Sequence, residues 1–157
     1  MAGKPEEALV NFSKAAKIKP GYISKLKEAA LVLENKGDLI STVTYYSEIL
    51  KFLPVDGDVH RNIGSILLTL KKYEESASHL EKAVQIQPGD AVTHNLLGMA
   101  LMYLERKTEA GRHFSEALRL KPDFMEAHVN LALCLRAQGH IKEADKQLEK
   151  AKALINK

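Results

Sequence analysis

An all-α fold, a solenoid of stacked antiparallel helix pairs, is predicted by three observations. Four of the five prolines, Pro20, Pro54, Pro88 and Pro122, stand 34 residues apart, and a fixed period of that length is a signature of repeated supersecondary units. Small residues recur on the same period in two columns, Ala15, Ala83, Ala117 and Ala151, and Ala8, Thr42, Ser76, Ala110 and Ala144. A third column is large: Phe12, Tyr46, Leu80, Phe114 and Leu148.

The first half of each unit is predicted to be a helix. Leu33, Leu67, Leu101 and Leu135 repeat there, as do Ala30, Gly64, Gly98 and Ala132, with apolar residues at helical spacing such as Ile63, Leu67 and Leu70. A break follows, marked by Gly3, Gly37 and Gly139, which suit a left-handed helix end, with Lys71 and Glu105 at the matching places. The second half is again helical, as in Leu80, Val84 and Ile86. The proline then ends it by withholding a backbone donor. The small columns let helix backbones approach at the close end of the 8–10 Å range, and the large column fills the remaining space. Ile49 is the departure, a bulky residue in a small column. A single pair cannot bury both of its faces, so successive pairs must stack.

Counted this way, residues 1–157 form one solenoid: a half unit over 1–22, full units over 23–56, 57–90 and 91–124, and a final unit over 125–157. Met1, Ala2 and Gly3 stand where other units have Asn35-Lys36-Gly37, the tail of a first helix, so the chain reads as a piece of a longer array. The last helix shows a polar face through Lys142, Asp145, Lys146, Glu149 and Lys150, and an apolar set, Ala144, Leu148, Ala151 and Leu154, that a following helix or a second copy would cover. Either more chain follows in the parent protein, or the open ends self-associate.

Composition narrows the function. The net charge of +3 comes from 23 basic and 20 acidic residues mixed along the chain, which leaves no basic block for nucleic acid. The apolar runs are too short to span a bilayer. Cys134 is the single cysteine, which excludes an intrachain disulfide and fits a reducing, cytoplasmic setting; it shares an apolar column with Val32, Ile66 and Ala100 and reads as a small buried hydrophobe. His60, His94 and His128 recur on the period, as do His79 and His113. Equivalent residues in successive units lie a helix-packing step apart, about 8–10 Å, too far to share a zinc ion bound at about 2.0–2.1 Å. These histidines read as packing or surface residues, and no metal or cofactor is expected. No phosphate loop, nucleophile elbow or metalloprotease motif is present, and no catalysis is expected.

With its small, large, small and proline columns, the chain resembles the tetratricopeptide repeat family over essentially its whole length. Leu26, His60, His94 and His128 replace the bulky aromatic that the family carries early in each unit. The resemblance implies a right-handed superhelix of about four and a half repeats whose concave face, built from the first helices, holds a segment or helix of a partner protein. Residues outside the packing columns should line it. They include Lys27 and Leu31 in the first full unit, Arg61 and Asn62 in the second, Asn95, Leu96, Met99, Met102 and Tyr103 in the third, and Asn130, Leu133 and Arg136 in the last. Asn62, Asn95 and Asn130 are expected to bond a partner backbone, and Lys27, Arg61 and Arg136 to select charge. Met99, Met102 and Tyr103 are expected either to anchor the partner or to pack between repeats. Lys27 and Asn62 match part of the carboxylate clamp of chaperone-docking members, but Leu31, Val92 and Leu96 leave it incomplete. Asn62 and Asn130 also match the asparagine ladder of O-linked N-acetylglucosamine transferases, which Glu28 and Leu96 interrupt. A substrate-recruiting arm of such an enzyme and a self-associating spacer are the two rival readings.

Overall fold

The structure is a computed structural model that describes residues 21–155. The half unit expected over 1–22, and with it a ninth helix, lies almost wholly outside the described residues. These contain eight helices: α1 (Tyr22–Asn35), α2 (Leu39–Leu50), α3 (Gly57–Thr69), α4 (Tyr73–Ile86), α5 (Ala91–Tyr103), α6 (Lys107–Leu120), α7 (Met125–Ala137) and α8 (Ile141–Ile155). They form an all-α repeat solenoid of four helix pairs, α1–α2 to α7–α8.

Aspartates start three of the helices. Asp38, Asp56 and Asp90 each accept a hydrogen bond from a backbone N–H of the first turn, from Ser41, Val59 and Val92. A cap of this kind stabilises a helix by about 1 kcal/mol. The turn inside each pair is closed by one residue in the left-handed region: Gly37 (φ 77°), Lys71 (φ 60°), Glu105 (φ 59°) and Gly139 (φ 85°). Glycine takes that conformation freely, whereas the Cβ of Lys71 and Glu105 opposes it.

The small columns do what close packing requires. A Cβ on Gly98 would lie 2.5 Å from the Phe114 ring, and one on Gly64 would lie 2.5 Å from Leu80 Cγ. Within the second pair, Ser76 Oγ donates to the Gly64 carbonyl at 2.7 Å in a buried bond between α4 and α3. Ala83, Ala110, Ala117, Ala132 and Ala144 are fully buried. Ile49 is fully buried too and joins Tyr22, Leu26 and Ile63 in the core that spans the first pair and α3. A second core runs from α4 through α7 around Leu80, Leu97, Leu101 and Phe114.

The curvature follows from which helices meet. The first helices α3, α5 and α7 touch one another in succession, while the second helices α4, α6 and α8 touch only first helices. The array therefore bends with the first helices inside, and their free faces form the inner surface.

Candidate functional site

The inner surface changes character along the array. On α1, Lys27 Nζ donates to Asp56 Oδ2 at 2.9 Å, and on α3, Arg61 donates to Asp90 Oδ2 at 2.9 Å. Arg61 also lies 3.0 Å from Asp58. Asp56 and Asp90 are the caps of the next first helices, so each pair ties one unit to its successor. Burial opposes the ionisation of both caps. At Asp56 the Lys27 ammonium and two backbone N–H groups outweigh it, and at Asp90 Thr93, Arg61 and the Val92 N–H do so, leaving both carboxyls below their ordinary range.

Asn62 Nδ2 donates to the Tyr46 hydroxyl at 3.3 Å. Asn95 is only 5% exposed; its Oδ1 accepts from Asn130 Nδ2 at 3.0 Å, linking α5 to α7. Arg136 donates to Asp145 of α8 at 2.8 Å in an exposed pair. Lys27, Arg61, Arg136, Asn62, Asn95 and Asn130 are thus all engaged within the chain, as braces between helices.

A pocket of about 290 Å³ opens between α5 and α7, lined by Met99, Met102, Tyr103, Phe114, Asn130 and Leu133. The two alternatives for the methionines prove compatible, since Met99 and Met102 are half-buried against the second core and also form the pocket wall. Tyr103 is 58% exposed, and its ring stacks on Tyr73 at 4.3 Å and 9°. That stack fixes the ring as a rigid wall. Leu133, 56% exposed, faces it from α7. Phe114 is the floor, placed there because Gly98 lets its ring lie against α5. Its position in the large column signalled burial, not a share in the inner surface.

The histidines pair within a unit, not between units. His60 Nδ1 lies 3.0 Å from His79 Nδ1, and His94 Nδ1 lies 3.1 Å from His113 Nδ1. The other ring nitrogen of His60 and of His94 donates to a proline carbonyl, Pro54 and Pro88. In the neutral ring this leaves Nδ1 bare, to accept the Nδ1–H of its partner. The last unit sets Gln147 in the place of the second histidine, with its Oε1 2.7 Å from His128 Nδ1. Burial, then the neighbouring His60 and Lys82, push His79 down to about 4 against a smaller opposing effect of Glu75. Burial and His94 lower His113 as well. A comparison of each histidine with its own column misses this pairing; the signal was the constant offset of 19 from His60 to His79 and from His94 to His113. Among the described residues no group of three or more His, Cys, Asp or Glu is placed to hold a metal ion, and no helix is long and apolar enough to cross a membrane. Cys134 is fully buried, which raises its thiol above the ordinary value.

Two family models described as tetratricopeptide repeat match the chain, one over residues 59–90 and one over residues 95–154, together more than half of it. Solved structures are similar over nearly its whole length. MamA from Desulfovibrio magneticus RS-1 superposes with a TM-score of 0.83 at 27% identity, covering 98% of this chain and 87% of that one. YrrB, described as a TPR protein with an unusual peptide-binding site, gives 0.79 at 21% identity over 96% of this chain and 77% of that one. The first TPR of Spaghetti (RPAP3), bound to an HSP90 peptide, gives 0.72 at 22% identity over 74% and 93%. At 21% and 22% identity the last two likenesses are of fold alone. No curated protein matches the chain.

Proposed function

The chain belongs to the tetratricopeptide repeat family, and from that premise we propose that it is a protein-interaction module that holds a segment of a partner on its inner surface. The observation that carries this reading is the open pocket between α5 and α7, where Tyr103 and Leu133 leave large apolar surface exposed beside a polar amide, Asn130. Apolar clefts with a few placed polar groups are what binding sites are made of. That YrrB has a peptide-binding site and the first TPR of Spaghetti holds a peptide adds support from the same fold.

A photo-crosslinking amino acid at Leu133, with one at the exposed outer residue Lys146 as control, tests it. Adducts that map to one partner segment at position 133 and are absent at 146 are expected; equal labelling at both would sink the reading. The finer idea of an asparagine ladder, and with it the glycosyltransferase arm, gains little, because the amides of Asn62, Asn95 and Asn130 bond within the chain. A self-associating spacer keeps one argument, the exposure of Ile141 and of Ile155 (70%) on α8. Light scattering that finds a strict monomer at high concentration would remove it.

A further inference from the structure

Taking the groove as a peptide site, as proposed above, we infer that it reads an internal, uncharged segment through one bulky apolar side chain seated in the α5–α7 pocket, and that it does not read a charged terminus. Three observations meet here. The first is size: about 290 Å³ lies just below the 300–1,000 Å³ of small-molecule sites, and suits one large side chain of a longer ligand. The second is charge. Helix α5 carries no charged residue, and the inner-surface cations Lys27, Arg61 and Arg136 each hold a carboxylate of this chain at 2.8–2.9 Å. A terminal carboxylate would have to compete with a carboxylate of this chain for each of these cations. Glu126, exposed one helical turn before Asn130, further disfavours an acidic flank. The third is the polar contact. Asn130 spends its Nδ2 on Asn95, so its Oδ1 on the pocket wall is left to accept a backbone N–H from an extended segment.

Short labelled peptides of Gly, Ser and Asn with blocked ends, carrying Trp, Leu, Ala or Asp at the centre, test this by fluorescence anisotropy. A fifth, acidic peptide ends in a free carboxylate. The Trp and Leu peptides should bind about tenfold or more tightly than the Ala and Asp ones, the factor expected for burying one large apolar side chain. Their affinity should hardly change between low and about half-molar salt, which screens charge pairing but not apolar burial. Leu133→Asp and Tyr103→Ala, both at exposed positions, should each reduce Trp-peptide binding about tenfold with helicity unchanged, and Leu133→Asp with melting unchanged as well, Tyr103→Ala giving up its stack on Tyr73. Arg136→Ala should leave it as it was. Preferred binding of the acidic peptide, weakened by salt and by Arg61→Ala, would overturn the inference and leave the groove reading standing. So would Trp-peptide binding indifferent to Leu133→Asp. If no peptide of any class binds and the crosslinker at position 133 labels nothing, the groove reading falls, and this inference with it.

Discussion

In the first two units the inner-surface positions occupied by Lys27 and Arg61 are cationic, and each reaches forward to the aspartate that caps the next first helix. In the last two units the same positions are Asn95 and Val129, and the residue capping α7 is Phe124, whose side chain makes no cap hydrogen bond. One half of the groove is thus tied by charge and self-neutralised. In the other, Asn130 donates a side-chain hydrogen bond to Asn95, and beside it the pocket opens. In a repeat protein every unit shares one backbone plan, so contrasts at one address isolate what the side chains do. Here they separate the stretch that sets unit-to-unit geometry from the stretch with free surface to offer a partner.

The contrast breaks most severely at the pocket floor. Phe114→Ala should cost about 3–5 kcal/mol in a urea melt, the usual loss for emptying a buried aromatic site, and should leave the pocket without its floor and deeper; a loss near zero would mean that Phe114 is not the packed floor. Next is the charged half. Asp90→Ala removes a cap and the partner of Arg61, and should cost about 1–2 kcal/mol. A change under about 0.5 kcal/mol would reduce the brace to an ordinary surface pair.

The histidine pairs come third. His79 has a folded pKa lowered to about 4 from an unfolded value of about 6.5. Between those values the unfolded chain binds the proton that the folded chain refuses. The stabilising effect is complete above pH ~6.5 and drains away as the pH falls toward ~4. His79→Gln with His113→Gln borrows the residue that the last unit already uses beside His128. The double variant should match the parent at pH 8 and exceed it by roughly 1 kcal/mol at pH 5, allowing for solvent screening at these half-buried rings. Equal acid sensitivity of the two proteins would show that the fold does not disfavour protonation of His79 and His113. Asp56 and Asp90 act in a lower window: their depressed pKa values give stability that is present above ~3.9 and lost only below it as they protonate. The smallest effect belongs to Arg136→Ala, which removes an exposed pair with Asp145 and should change thermal stability by less than about 0.5 kcal/mol.

Much of this was legible before any coordinates. Spacing of the prolines and three columns gave helix pairs, their order and their stacking, because close packing constrains residue size at the same address in every unit. Met99, Met102 and Tyr103 could be placed on the inner surface by leaving out the packing columns. The partners of the polar residues could not. Lys27 meets Asp56 and Arg61 meets Asp90 across a unit boundary, 29 positions on, and a comparison down a column never sets those residues side by side. The surface therefore looked chargeable when its charges were already spent. Phe114 packs as its column implies, but a column records only size, and a place beneath an opening depends on the missing side chain at Gly98.

One feature of the turns bears on how the array deforms. The outer pairs, α1–α2 and α7–α8, turn on glycine, and the middle two turn on Lys71 and Glu105 with a positive φ, a posture that costs a side-chain-bearing residue about 1–2 kcal/mol. In a one-dimensional stack such a cost is not averaged over the molecule; it stays with the unit that carries it. The two central units therefore hold a small spring of their own, released by any fluctuation that lets those turns relax. The pocket walls on α5 and its floor on α6 stand on either side of the second spring, at Glu105, so a strained turn lies beside the surface that a ligand would have to enter.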